Sequence, residues 1–117
     1  MERIALMLAL LATPAMAPIA FAQVTADTPN PLAGYPDTVE AGHALFGKMN
    51  CAGCHGYDLG GGMGPDLTDA SWQYGGKPGE IYHTIAEGTP RGMPVWKDKL
   101  TPDEIWQLVA YIQSRKQ

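Results

Sequence analysis

The stretch "CAGCH", Cys51 to His55, holds both cysteines of a 117-residue chain and sets a histidine directly after the second. Four chemistries use such an arrangement: a disulfide, a redox-active dithiol, half of a zinc site, and a covalent haem attachment. Each makes a demand on the rest of the chain. A disulfide between Cys51 and Cys54 would close a loop of four residues, which constrains the unfolded chain little. A thioredoxin-like dithiol needs a strand before the motif and an α/β pattern after it. Here the preceding residues read as helix and no strand pattern follows. Zinc needs four ligands and this motif supplies two. His43 and His83 stand on expected helices, without ligand spacing to His55.

The haem reading accounts for all five residues. Helical positions i and i+3 lie on one face. Two thiols at that spacing can reach the two vinyl groups on one side of a porphyrin and form thioethers. The adjacent histidine is then held under the iron as the proximal ligand.

The N-terminus points to the compartment where such attachment takes place. "MERIALMLALLATPAMAPIAFAQ", residues 1–23, has a short charged start, an apolar run from Ile4 to Ala12, and a small-x-small site at Ala20-Phe21-Ala22. This pattern predicts a secretory signal peptide over residues 1–22. The rival reading is an uncleaved membrane anchor, but the apolar core is short for a span and a longer one would be interrupted by Pro14 and Pro18. The mature chain is then about 95 residues, enough for one domain with a modest core that benefits from a cofactor. The formal net charge of −4 argues against nucleic acid and anionic membrane surfaces, which need clustered Lys and Arg.

Along the remainder, residues 23–36 hold three prolines and no helical period, and read as an extended leader on the surface. Asp37 or Thr38 can start a helix, in which Val39, Gly42, Leu45, Phe46 and Met49 recur at helical spacing. Residues 56–66 are Gly-rich loop, as expected where the chain passes close to something flat and bulky. Residues 67–76 hold at most one short helical turn capped by Thr68. A further helix begins near Pro78 and ends at Gly88, with Ile81 and Ile85 as its stripe. The last begins at a capping box, Thr101-Pro102-Asp103-Glu104, and carries Ile105, Leu108, Val109 and Ile112 on its apolar face. The fold class is all-α with long Gly/Pro-rich loops.

A haem with two strong protein ligands moves electrons, whereas an open sixth position binds gases or peroxide. Three methionines are candidates. Met49, two residues before Cys51, cannot reach the opposite face. Met63 could just do so. Met93 lies far downstream in "RGMPVW", where Pro94 biases it towards extended backbone and Trp96 offers a wall. Met93 is the expected sixth ligand.

The stretches "AGHALFGKMNCAGCHG", "GPDLTD", "RGMPVW" and "DEIWQLVAYI", in that order, resemble a class I c-type cytochrome over Val39 to Ile112. Within that family the chain is similar to the small periplasmic cytochromes and haem domains of cbb-type oxidase diheme subunits and of quinoprotein alcohol dehydrogenase acceptors. The resemblance implies a cytochrome c domain over residues 37–117, with three to five helices around one covalently bound haem c. It implies His55 and Met93 as iron ligands and thioethers at Cys51 and Cys54. It further implies that Gly42 and Phe46 pack on Leu108 and Tyr111, that the Pro65 carbonyl meets the other ring nitrogen of His55, and that Leu67 lines the haem. Trp72, Tyr74 and Arg91 fall in loops that the resemblance places near the ring edge, as candidate propionate donors. One departure is the spacing from Phe46 to Cys51, one residue longer than in mitochondrial relatives.

The expected function is a non-enzymatic, monomeric electron shuttle in the periplasm, between a dehydrogenase donor and an oxidase or cytochrome acceptor. A dedicated haem subunit of such a complex is the alternative; Trp106 and Tyr82 would then offer an apolar docking face, although core packing is their expected role. A gas sensor or peroxidase is a further one.

Overall fold

A computed structural model describes residue 9 and residues 23–117. The expected signal peptide lies outside the described residues. Among these, the only regular elements are four helices: α1 (Thr38–Lys48), α2 (Ala52–His55), α3 (Pro78–Glu87) and α4 (Pro102–Ser114). None is long and apolar enough to cross a membrane.

α4 organises the domain. Its capping box forms as the sequence requires, with Glu104 N donating to Thr101 Oγ1 at 3.2 Å and Thr101 N donating to Glu104 Oε1 at 3.0 Å. Six of its side chains are buried: Ile105, Trp106, Leu108, Val109, Tyr111 and Ile112. That wide apolar surface meets two neighbours, chiefly α1 and also α3. The crossing with α1 is close because Gly42 has no side chain. A Cβ there would lie 2.0 Å from the Gln107 carbonyl oxygen and 2.8 Å from Tyr111 Cβ. Next to it the Phe46 and Tyr111 rings meet edge to face at 5.4 Å, and His43 stacks on the other side of Tyr111 at 4.7 Å. On the α3 side, Tyr82 and Trp106 pack with ring centroids 4.4 Å apart. Both are buried, so they form core and not a docking face.

Several expectations need correction. Residues 23–36 are not a plain surface leader. They fold in turns, with Val24 and Asn30 buried against the domain. Asn30 Nδ2 donates to the Trp106 carbonyl at 2.9 Å, His83 Nε2 bonds the Val24 carbonyl, and Lys77 pairs with Asp27 at 2.9 Å. Gly79 makes the contact possible, since a Cβ there would clash with the Thr25 carbonyl. No helical turn forms over residues 67–76, because Asp66 and Asp69 accept the local amides in side-chain turns instead. Asp37 is the N-cap residue of α1 but makes no side-chain capping bond. Val39 is exposed, so the α1 stripe is narrower than its periodicity implies.

Candidate haem site

α1 passes into the motif through a sharp reversal. Asn50 takes a left-handed φ of 60°, and Cys51 N donates back to Phe46 O at 3.0 Å. Asparagine tolerates that conformation better than most residues. This hinge joins the end of α1 to the motif and brings Cys51 back against the last turn of α1. One turn of helix follows, with His55 N bonded to Cys51 O at 3.0 Å. Cys51 and Cys54 therefore share a face, both half-buried and free. Burial pushes the Cys51 thiol up to about 11, so it stays protonated at neutral pH.

His55 is buried and fixed from two directions. Its Nδ1 lies 2.9 Å from the Pro65 carbonyl oxygen. A carbonyl only accepts, so Nδ1 carries the hydrogen and Nε2 keeps its lone pair for another partner. The Gly-rich loop then wraps the end of α2 and takes its carbonyls: Gly61 N donates to His55 O and Gly64 N to Cys54 O, each at 2.8 Å. A Cβ at Gly64 would come 2.9 Å from His55 Cε1. What these glycines approach closely is the imidazole and the backbone of α2. Leu59, at the centre of this loop, is fully buried with φ 63°, and its carbonyl accepts from Leu67 N at 2.8 Å. Nothing in its glycine-rich surroundings marked Leu59 as core.

Met93 is half-buried against the same core that includes Leu67 and Ala52. Its loop is tied at both ends. Met93 N donates to Thr89 Oγ1 at 3.4 Å, Thr89 N donates to Met93 O at 3.0 Å, and Trp96 N returns to Ile85 O at 3.2 Å. Gly88 is required at the start, since a Cβ there would lie 2.5 Å from the Met93 carbonyl. Thr89 was not singled out in the sequence, although a threonine four residues before Met93 is the signal that could have found it. Met63, the rival sulfur, is 89% exposed.

The three expected propionate donors are not gathered alike. Trp72 is partly buried, but its Nε1, the only donor it has, is given to the Asp69 carbonyl at 3.1 Å, and Lys116 Nζ sits 4.9 Å from its ring centroid. Tyr74 and Arg91 are exposed. Among the described residues no three His, Cys, Asp or Glu side chains cluster as a metal set.

The donor chemistry present suits haem c: two free thiols on one face, and next to them an imidazole whose tautomer leaves Nε2 bare. The match to the family model for "Cytochrome C oxidase, cbb3-type, subunit III" runs over residues 37–112. The chain belongs to the cytochrome c family. This cytochrome c domain is 47% identical over 89 residues to a cbb3-type cytochrome c oxidase subunit FixP of Sinorhizobium medicae, covering 68% of this chain and 30% of that protein. It is 34% identical to quinohemoprotein alcohol dehydrogenase ADH IIB of Pseudomonas putida, over 91% of this chain and 15% of that protein. Among solved structures, cytochrome cL of Methylophaga aminisulfidivorans matches with a TM-score of 0.68 and 30% identity, over 75% of this chain and 59% of the other. The chain thus spans less than a third of either curated relative. The family binds covalent haem c and transfers electrons, and Cys51 and Cys54 stand where its attachment motif requires them.

Proposed function

We propose that this chain is a one-electron carrier working outside the cytoplasm, as a periplasmic monomer, with Cys51 and Cys54 attaching the haem and His55 and Met93 ligating its iron. The observation that carries the reading is the Nδ1–Pro65 bond, which fixes the tautomer and orientation of His55 and makes it a better donor through Nε2. Haem c, when bound, supplies a metal that gains and loses one electron without changing its ligands. Cys51 and Cys54 would hold the haem through thioethers, for which both thiols are free. Leu67 and the surrounding core exclude water, which favours the less charged reduced state. Pro65 supports the histidine side. The bonded loop 89–96 holds Met93 in place, so little reorganises on electron transfer.

Donor and acceptor are redox proteins, a dehydrogenase upstream and an oxidase or second cytochrome downstream, met through small transient contacts. A second reading, a dedicated haem subunit of one such complex, is favoured by the relatives in which this domain is a fraction of a larger chain. Co-purification with a large enzyme from the native host decides between them. The ligand assignment is tested by the ferric absorption spectrum. The weak long-wavelength band of sulfur-to-iron charge transfer is expected in the wild type and absent in Met93→Ala. A band that survives in Met93→Ala overturns Met93 and moves the assignment to Met63. Rapid, tight carbon monoxide binding by the reduced wild type would favour a gas-binding protein over a carrier.

A further inference from the structure

The Pro65 carbonyl orients His55 only if it is itself aimed, and proline cannot aim it alone. The ring fixes φ of Pro65, but the direction of its carbonyl follows from ψ of Pro65 and from the path of the chain at Asp66. That path is set by a compact set of bonds. Asp66 Oδ1 accepts from Thr68 N at 2.7 Å and from Thr68 Oγ1 at 2.6 Å. One carboxylate oxygen thus closes a side-chain turn and is held there by a second, charge-assisted donor. Between the two, Leu67 N is bonded to the buried Leu59 carbonyl at 2.8 Å. On the upstream side Gly61 lies so close that a Cβ would come 3.0 Å from Asp66 N. On the downstream side the Thr68 carbonyl accepts from Gln117 N at 3.0 Å. The Thr68 bonds also hold the Asp66 carboxyl below the usual range, so it is ionised at neutral pH.

We infer that Asp66 and Thr68 are positioning residues for His55: their side-chain pair locks the backbone of residues 65–68 so that the Pro65 carbonyl stays on Nδ1. The inference rests on His55 being the axial ligand. A carbonyl held firmly on Nδ1–H draws that hydrogen away, makes the ring a stronger donor and favours the ferric state. A loosened carbonyl does the reverse and raises the reduction potential. The Asp66 and Thr68 side chains bond each other and not the imidazole, whose hydrogen bond is to Pro65, so their effect on it passes through Pro65.

The test uses the haem-loaded wild type and the variants Asp66→Ala, Asp66→Asn and Thr68→Val. Two quantities are read: the hydrogen-exchange rate of His55 Nδ1–H in the reduced protein by NMR, and the reduction potential. Asp66→Ala and Thr68→Val are expected to speed exchange about tenfold or more and to raise the potential. Thr68→Val keeps the Asp66 charge, so its rise in potential cannot come from lost charge. Asp66→Asn keeps an acceptor oxygen for both Thr68 donors and is expected to exchange at the wild-type rate. The lock is overturned if Thr68→Val exchanges like the wild type, or if Asp66→Asn exchanges as fast as Asp66→Ala. Should Asp66→Ala fail to fold, Thr68→Val decides. A wild type without ring-shifted signals of a haem-bound histidine overturns the ligand reading and the lock together. Normal wild-type signals with unmoved variants overturn the lock alone.

Discussion

At the scale of single residues, the site is shaped as much by missing side chains as by present ones. His55 is held edge-on by the Pro65 carbonyl, and the space beside its ring exists because residue 64 is glycine. A methyl group there would sit 2.9 Å from Cε1, and yielding would strain the bond of the ring to Pro65 or that of the Gly64 amide to Cys54. Gly64→Ala is therefore expected to destabilise the domain by about 1–3 kcal/mol. It should also disturb the Nδ1–Pro65 bond. Denaturant unfolding checks the first effect and the His55 Nδ1–H resonance the second. An unchanged midpoint would mean that the loop shifts freely, contrary to its bonded geometry.

The same logic operates between elements at the α1–α4 crossing. Gly42 faces the Gln107 carbonyl at a distance no Cβ can occupy, and the obstacle is helix backbone. Gly42→Ala must push the helices apart, separating Phe46 from Tyr111 and opening the seam above Cys51. The gain in helix propensity from Gly to Ala, at most about 1 kcal/mol, is too small to offset overpacking against backbone. The variant is expected to lose about 1–3 kcal/mol and to show weakened near-ultraviolet circular dichroism from Tyr111. A more stable Gly42→Ala protein would show that the crossing is not tight.

Over the whole molecule, the segment before α1 acts as a strap. Asn30 Nδ2 reaches the Trp106 carbonyl inside α4, as a donor added from outside the helix, and the side chain is buried. Asn30→Ala removes this bond and also the Asn30 Oδ1 that accepts from Leu32 N at 2.9 Å, for an expected loss of about 1–3 kcal/mol in chemical denaturation. The core behind it also sets a pH limit. Burial, with Asp103 adding a smaller repulsion, pushes the Tyr82 phenol up to about 12 from its ordinary value of 10.0. The folded state then holds this proton more tightly than the unfolded one. The contribution is full below pH 10 and is lost as pH rises towards 12. Thermal midpoints measured over that range should fall more steeply for the wild type than for Tyr82→Phe. Parallel curves would remove Tyr82 from the cause.

How much of this was legible in the chain follows from the range of the forces involved. The haem motif, the capping box of α4 and the bounds of α3 are local chemistry: a few residues and their spacing determine them, and the sequence by itself determined them here. Gly42 against the last helix and Pro65 against His55 were legible only through the family resemblance. What the tertiary structure alone decided depends on partners far apart in sequence. Leu59 is core because loop 56–66 folds over α2. Trp72 is not a free donor because its indole N–H is used by Asp69 and its face by Lys116. Residues 23–36 are a strap and not a surface leader because Trp106 and Val24 offer carbonyls that Asn30 and His83 happen to meet. A backbone carbonyl carries no identity in the sequence, so where such bonds form is decided only when the chain has folded.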